Sequence, residues 1–175
     1  MKAVTIKELK EELLNYTPKE LRELCLRLAR FKKENKELLT YLLFESSDEA
    51  LFIENVKLEV DDQFKLINRK SYYLIKKSIR KILRTIRKYS RYSQKKETEV
   101  ELLIYMCARL RKFTPSIQRN TGLLNLYNKQ LENINSYRRD HQCASGENQN
   151  VITPDKRPNS RSAGTMLPGS KPKLR

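Results

Sequence analysis

Thirteen Lys or Arg and not one Asp or Glu occupy Gln63 to Lys96, QFKLINRKSYYLIKKSIRKILRTIRKYSRYSQKK. Cations at this density could hold a polyanion by neutralising its phosphates and releasing its counterions, a partner the pattern permits without requiring. On a helical projection, Lys76, Lys77, Arg80, Lys81, Arg84, Arg87, Lys88 and Arg91 share an arc of about 140°. Ile75, Ile79, Ile82, Leu83, Ile86 and Tyr89 share a separate arc of about 120°. The spacing predicts one helix with a basic face and a core face, about 30 Å long from Tyr72 to Tyr92. Tyr73 projects onto the basic side and Tyr92 onto its border, where a ring could stack on an unpaired base; Tyr72 and Tyr89 project toward the core. No Asn or Gln stands on the strip to read adenine, so nucleic-acid binding through it is expected to have low sequence specificity.

Other chemistries find no support in residue type and spacing. A phosphate-cradling loop needs clustered glycines, and Gly122 is the one glycine before residue 138. His141 and Cys143 are two ligand types where zinc wants about four. Asp61 and Asp62 are adjacent and point to different sides of a helix, unlike a catalytic carboxylate pair. Glu97, Glu99 and Glu101 suit the first turn of a helix, where they complement its dipole. The expectation is a protein with no catalytic, cofactor or metal site, and not an enzyme.

The elements that must position the basic strip are nearly neutral. Met1 to Asp62 has 11 basic and 14 acidic residues, Glu97 to Tyr137 has 5 and 4, and Arg138 to Arg175 has 8 and 3. Segment 63–96 therefore carries +13 of the formal +16. Three readings compete for it. The strip is a solvated face partly neutralised by the acidic helix before it; or it binds nucleic acid through phosphates; or it meets an acidic partner protein or a membrane surface. A membrane-surface role fits least, because the opposite arc is rich in isoleucine and is flanked by amphipathic helices that need covering.

The first 137 residues contain only Pro18 and Pro115 among the prolines, which favours long helices over many short strands. Thr5 to about Tyr16 reads as a short helix, with Ile6, Leu9 and Leu13 on one face. Thr17 as N-cap, Pro18 at the first position and Glu20 as capping-box partner open a second, with Leu21, Leu24, Cys25, Leu28 and Phe31 as its buried stripe. Asn35 to Glu45 is apolar around most of its circumference and is expected to be the most buried helix. Ser46 with Glu49 suggests another capping box. It opens a helix with Ile53, Val56, Val60, Phe64 and Ile67 inside and Glu54, Glu59, Asp61 and Asp62 outside, on which the basic helix folds back antiparallel. Glu97 to Phe113 and Leu124 to about Tyr137 complete the series.

The expected fold is all-α: one domain over 1–137, six or seven helices in an irregular bundle or short stack of helical hairpins. A disordered basic tail is expected over 138–175, where the glycines and prolines concentrate. The longest apolar run, Leu38 to Phe44, is too short to span a bilayer, and the N-terminus lacks the apolar stretch of a signal peptide, so a cytoplasmic location is expected. Cys25, Cys107 and Cys143 are widely spaced without a CxxC pair, and the first two read as reduced, buried thiols.

The segments CLRLARFKKENKELLTYLLFE (Cys25 to Glu45) and YLIKKSIRK (Tyr73 to Lys81) resemble short uncharacterised all-helical proteins of Bacteroidota. The resemblance covers roughly Leu21 to Ser93 and implies a helical fold with no known activity.

Overall fold

A computed structural model of the chain describes residues 2–142. The expected tail lies outside the described residues beyond Gln142. Among the described residues the structure is all-α, with seven α-helices in chain order: α1 Ile6–Leu13, α2 Pro18–Phe31, α3 Lys33–Thr40, α4 Glu49–Lys65, α5 Tyr72–Ser93, α6 Lys96–Arg111 and α7 Thr121–Gln142. A π-helical turn, Tyr41–Glu45, follows α3, and a 3-10 turn, Ile117–Arg119, precedes α7. None of these helices is long and apolar enough to cross a membrane.

The body is α4 to α7. Helices α4 and α5 form an antiparallel hairpin, as three cross-links in opposite order along the two chains show: Gln63 to Thr85, Glu59 to Tyr89 and Glu49 to Ser93. The isoleucine arc of α5 is the centre of the core, with Ile75, Ile79, Ile82 and Ile86 at most 1 % exposed. Helix α6 is covered on more than one face. Leu102 and Met106 are fully buried beside the expected Leu103, Cys107 and Leu110, and burial pushes the Cys107 thiol up to about 12. Leu124, Tyr127, Leu131 and Ile134 close the core from α7, which runs on to Gln142 rather than stopping at Tyr137.

The N-terminal third is an arm. Thr17 caps α2 as expected: its hydroxyl accepts from the Glu20 amide, while the Glu20 carboxylate accepts from the Thr17 amide at 2.8 Å. Thr5 and Glu8 repeat the device on α1. Yet neither α1, α2 nor α3 contains a buried residue. The stripe Leu21, Leu24, Cys25, Leu28 and Phe31 is not buried: Leu28 is 59 % and Phe31 78 % exposed, and the Cys25 thiol is exposed. The run after Asn35 is not the most buried element either. Tyr41 is buried, but Leu42, Leu43 and Phe44 are 54 %, 65 % and 76 % exposed. Apolarity around a whole circumference states what a helix could bury; burial also requires neighbours on each side, and here only the Leu38 and Tyr41 side meets the body.

Two further expectations give way to geometry. Asp48, not Ser46, caps α4, its Oδ1 accepting from the Leu51 amide at 3.0 Å. Glu49 is thereby released to turn inward. Nor are Glu59 and Asp61 on an outer face: Glu59 accepts from the Tyr89 hydroxyl on α5, and Asp61 lies 2.9 Å from Arg109 on α6.

Candidate nucleic-acid interface

Helix α5 is fixed at both ends and along its core face. The Ser71 hydroxyl caps it by accepting from the Leu74 amide, and Gln94 ends it in the left-handed conformation with φ 57°. With its isoleucine arc locked in the core, the opposite face has no freedom but to point outward.

The structure sorts the eight cations of that face into two groups. Lys77, Arg80, Lys81, Arg84, Arg87 and Arg91 are exposed, and among the described residues none of them makes an ion pair. Lys76, Lys77, Arg80, Arg84 and Arg87 line one continuous surface depression with Tyr73, which is 76 % exposed. The remaining two cations are engaged. Lys76 is half-buried and lies over Gly122, so close that a Cβ there would come within 2.6 Å of its Nζ. Lys88 is paired to Glu37 of α3 at 2.7 Å.

Tyr92 is not a stacking platform. It is 8 % exposed, packs edge-on against Tyr89 at 5.8 Å between ring centroids, and donates its hydroxyl to Glu37. A position on the border of two arcs is decided by what lies opposite, and opposite Tyr92 lies the Glu37 carboxylate of α3. Burial and the neighbouring carboxylates push the hydroxyls of Tyr89 and Tyr92 far above the ordinary tyrosine value.

The carboxylates that could neutralise the strip are committed elsewhere. Glu54 and Glu101 both pair with Lys57, Asp62 pairs with Lys65, and Asp61 with Arg109. Glu49 accepts from the hydroxyls of Tyr41, Ser93 and Thr98 and pairs with Lys95. Burial alone would raise the Glu49 pKa, but the hydrogen bonds from Ser93, Thr98, Tyr41 and Lys95 prevail and hold it at about 2. Glu37 is likewise held below its ordinary value: burial opposes ionisation, and Lys88 and Tyr92 outweigh it. Glu37, Glu49, Glu59 and Asp61 thus serve the packing of the helices, and the middle of the α5 strip has no ion-paired counter-charge among the described residues.

A second basic cluster had no signal in the sequence. Arg69, from the loop before α5, stacks over Phe113 at 5.0 Å and shares a small depression with Lys112 at the end of α6. Residues this far apart in the chain are joined by the α4–α6 packing, which no local spacing reveals. Among the described residues, no group of three or more His, Cys, Asp or Glu is placed to hold a metal ion.

Compared with family models, with curated proteins and with solved structures, the chain matches none.

Proposed function

We propose that this protein binds nucleic acid through phosphate contacts made by the outer face of α5, without strong sequence preference. The observation that carries the proposal is the set Lys77, Arg80, Lys81, Arg84, Arg87 and Arg91, exposed on one rigid helix and free of ion pairs among the described residues. From Lys77 to Arg91 the strip is about 21 Å long at 1.5 Å per residue. That length of duplex carries about twelve phosphates, so six cations can each find one without distortion of the partner. Like charges three and four residues apart repel by a few tenths of a kcal/mol per pair. A bound polyanion relieves this repulsion; a merely solvated face leaves it in place. Tyr73 adds one exposed ring beside the cations, which favours single-stranded over duplex partners by stacking on a base.

The role is that of a binding module rather than an enzyme, and it fits a cytoplasmic setting where nucleic acid is abundant. Fluorescence anisotropy with single-stranded and duplex oligonucleotides at 50 mM salt tests it. Dissociation constants in the micromolar range are expected, weakened at least tenfold by Arg80→Glu with Arg84→Glu and Arg87→Glu. Binding unaffected by that triple reversal would overturn the assignment to α5.

A further inference from the structure

The arm formed by α1, α2 and α3 is built as if to be covered, and the body of its own chain does not cover it. Of the sixteen large apolar residues that stand exposed among those described, twelve precede Glu45. They include Ile6 at 81 %, Leu14 at 79 %, Leu28 at 59 %, Phe31 at 78 %, Leu43 at 65 % and Phe44 at 76 % exposed. Two complete capping boxes define the starts of α1 and α2. Ile6, Leu9 and Leu13 lie on one face of α1, the pattern of a helix that packs.

The aromatic members, Tyr16, Phe31 and Phe44, carry on the order of 150–250 Å² each, and the nine aliphatic ones less. At the exposures observed, the twelve, spread over the arm, together leave roughly 1,000 Å² of side-chain surface in water. It is about what one partner contributes to a stable interface, near 800 Å².

Charge selects the occupant. Helix α5 carries eight cations and no acid, so it repels its own copy. Met1 to Phe31 carries seven Lys or Arg and five Glu, interleaved along both helices. A surface of mixed sign favours neither an acidic nor a basic stranger, and it meets an inverted copy of itself with opposite charges in reach. We propose that the arm is a homodimerisation element, in which a second copy of the chain lays the same apolar stripe against it about a two-fold axis. The α5 strips of both copies then remain free. This inference does not depend on what α5 binds.

Sedimentation velocity of the full chain between about 1 and 100 µM, without nucleic acid, tests it. A dimer is expected in this range. The variant Ile6→Asp with Leu28→Asp and Phe31→Asp is expected to raise the dimer dissociation constant more than about 100-fold with an unchanged helical circular-dichroism spectrum. Leu58→Asp, on the exposed face of α4, is expected to leave it dimeric. A monomeric wild type at 100 µM, or a dimer that survives the triple change, overturns the proposal. Should the triple variant fail to fold, Phe31→Asp alone decides: a dissociation constant raised at least about tenfold supports the arm, and an unchanged one overturns it.

Discussion

Lys88 Nζ and Glu37 Oε2 lie 2.7 Å apart, and this contact separates the structural cations of α5 from the unpaired ones. Both side chains are largely shielded, at 20 % and 23 % exposure, and the Tyr92 hydroxyl donates to the same carboxylate oxygen. The pair docks α3 onto the body and takes Lys88 out of the strip. Four residues earlier, Arg84 has no such partner among the described residues. Lys88→Ala is therefore expected to lower stability by about 1–2 kcal/mol, since it strands a shielded carboxylate, while changing oligonucleotide affinity less than about twofold. Arg84→Ala is expected to do the reverse. Chemical denaturation and anisotropy on the same two proteins check this; equal losses of affinity would mean that the ion pair does not take Lys88 out of the binding face.

Arg84 sits between Arg80 and Lys81 on one side and Arg87 and Lys88 on the other, at helical spacings of three and four. Arg84→Glu converts three unpaired repulsive neighbours, Arg80, Lys81 and Arg87, into attractive ones, each worth a few tenths of a kcal/mol. The free protein should gain about 1 kcal/mol of stability and lose nucleic-acid affinity together. Thermal melts at low and high salt read this, because screening should shrink the gain. A variant no more stable than the wild type at low salt would mean that the strip is already neutralised.

Glu49 makes the molecule sensitive to acid in a defined window. Its carboxyl titrates at about 2 in the folded protein and near 4.5 when free of these partners. A carboxyl lowered by folding contributes its stability in full above 4.5 and loses it as the pH falls toward 2. The difference corresponds to on the order of 3 kcal/mol, for a side chain 18 % exposed. Glu49→Gln should cost about 2–4 kcal/mol at neutral pH, because the amide cannot accept from Ser93, Thr98 and Tyr41 together. The gap between the two proteins should close as the pH is lowered from 4.5 to 2, and urea titrations across that range measure it. A gap independent of pH would remove Glu49 from the account.

Much of the fold was legible wherever a single helix carried its own answer. The eight cations and the isoleucines of α5 separate cleanly on a projection, and the two faces of the structure are those two arcs. Thr17, Pro18 and Glu20 mark a helix start by local hydrogen-bond chemistry alone, so that start is where it was expected. Tertiary questions were less legible. The run from Leu38 to Phe44 announces apolarity but not the number of neighbours, and only Tyr41 finds full cover. Glu49 looked like a capping residue because Ser46 precedes it by three. Asp48 takes the cap instead, and the hydroxyls of Ser93 and Thr98, 44 and 49 residues further on, draw Glu49 inward. Tyr92 looked available for the same reason in reverse, since its partner Glu37 stands 55 positions away in the chain. At the site, the cation face could be read in full, but the distinction between paired and unpaired members could not.

If the unpaired cations of α5 neutralise phosphates, oligonucleotide binding must weaken steeply as salt is raised. With four to six phosphates neutralised, log K against log salt should fall with a slope of about −4 to −5 on duplex DNA. Replacing Arg80, Arg84 and Arg87 by glutamine should bring the slope toward zero by close to three, one per phosphate contact removed. A slope near zero for the wild type, or one that the three replacements leave unchanged, would show that these cations do not hold phosphates.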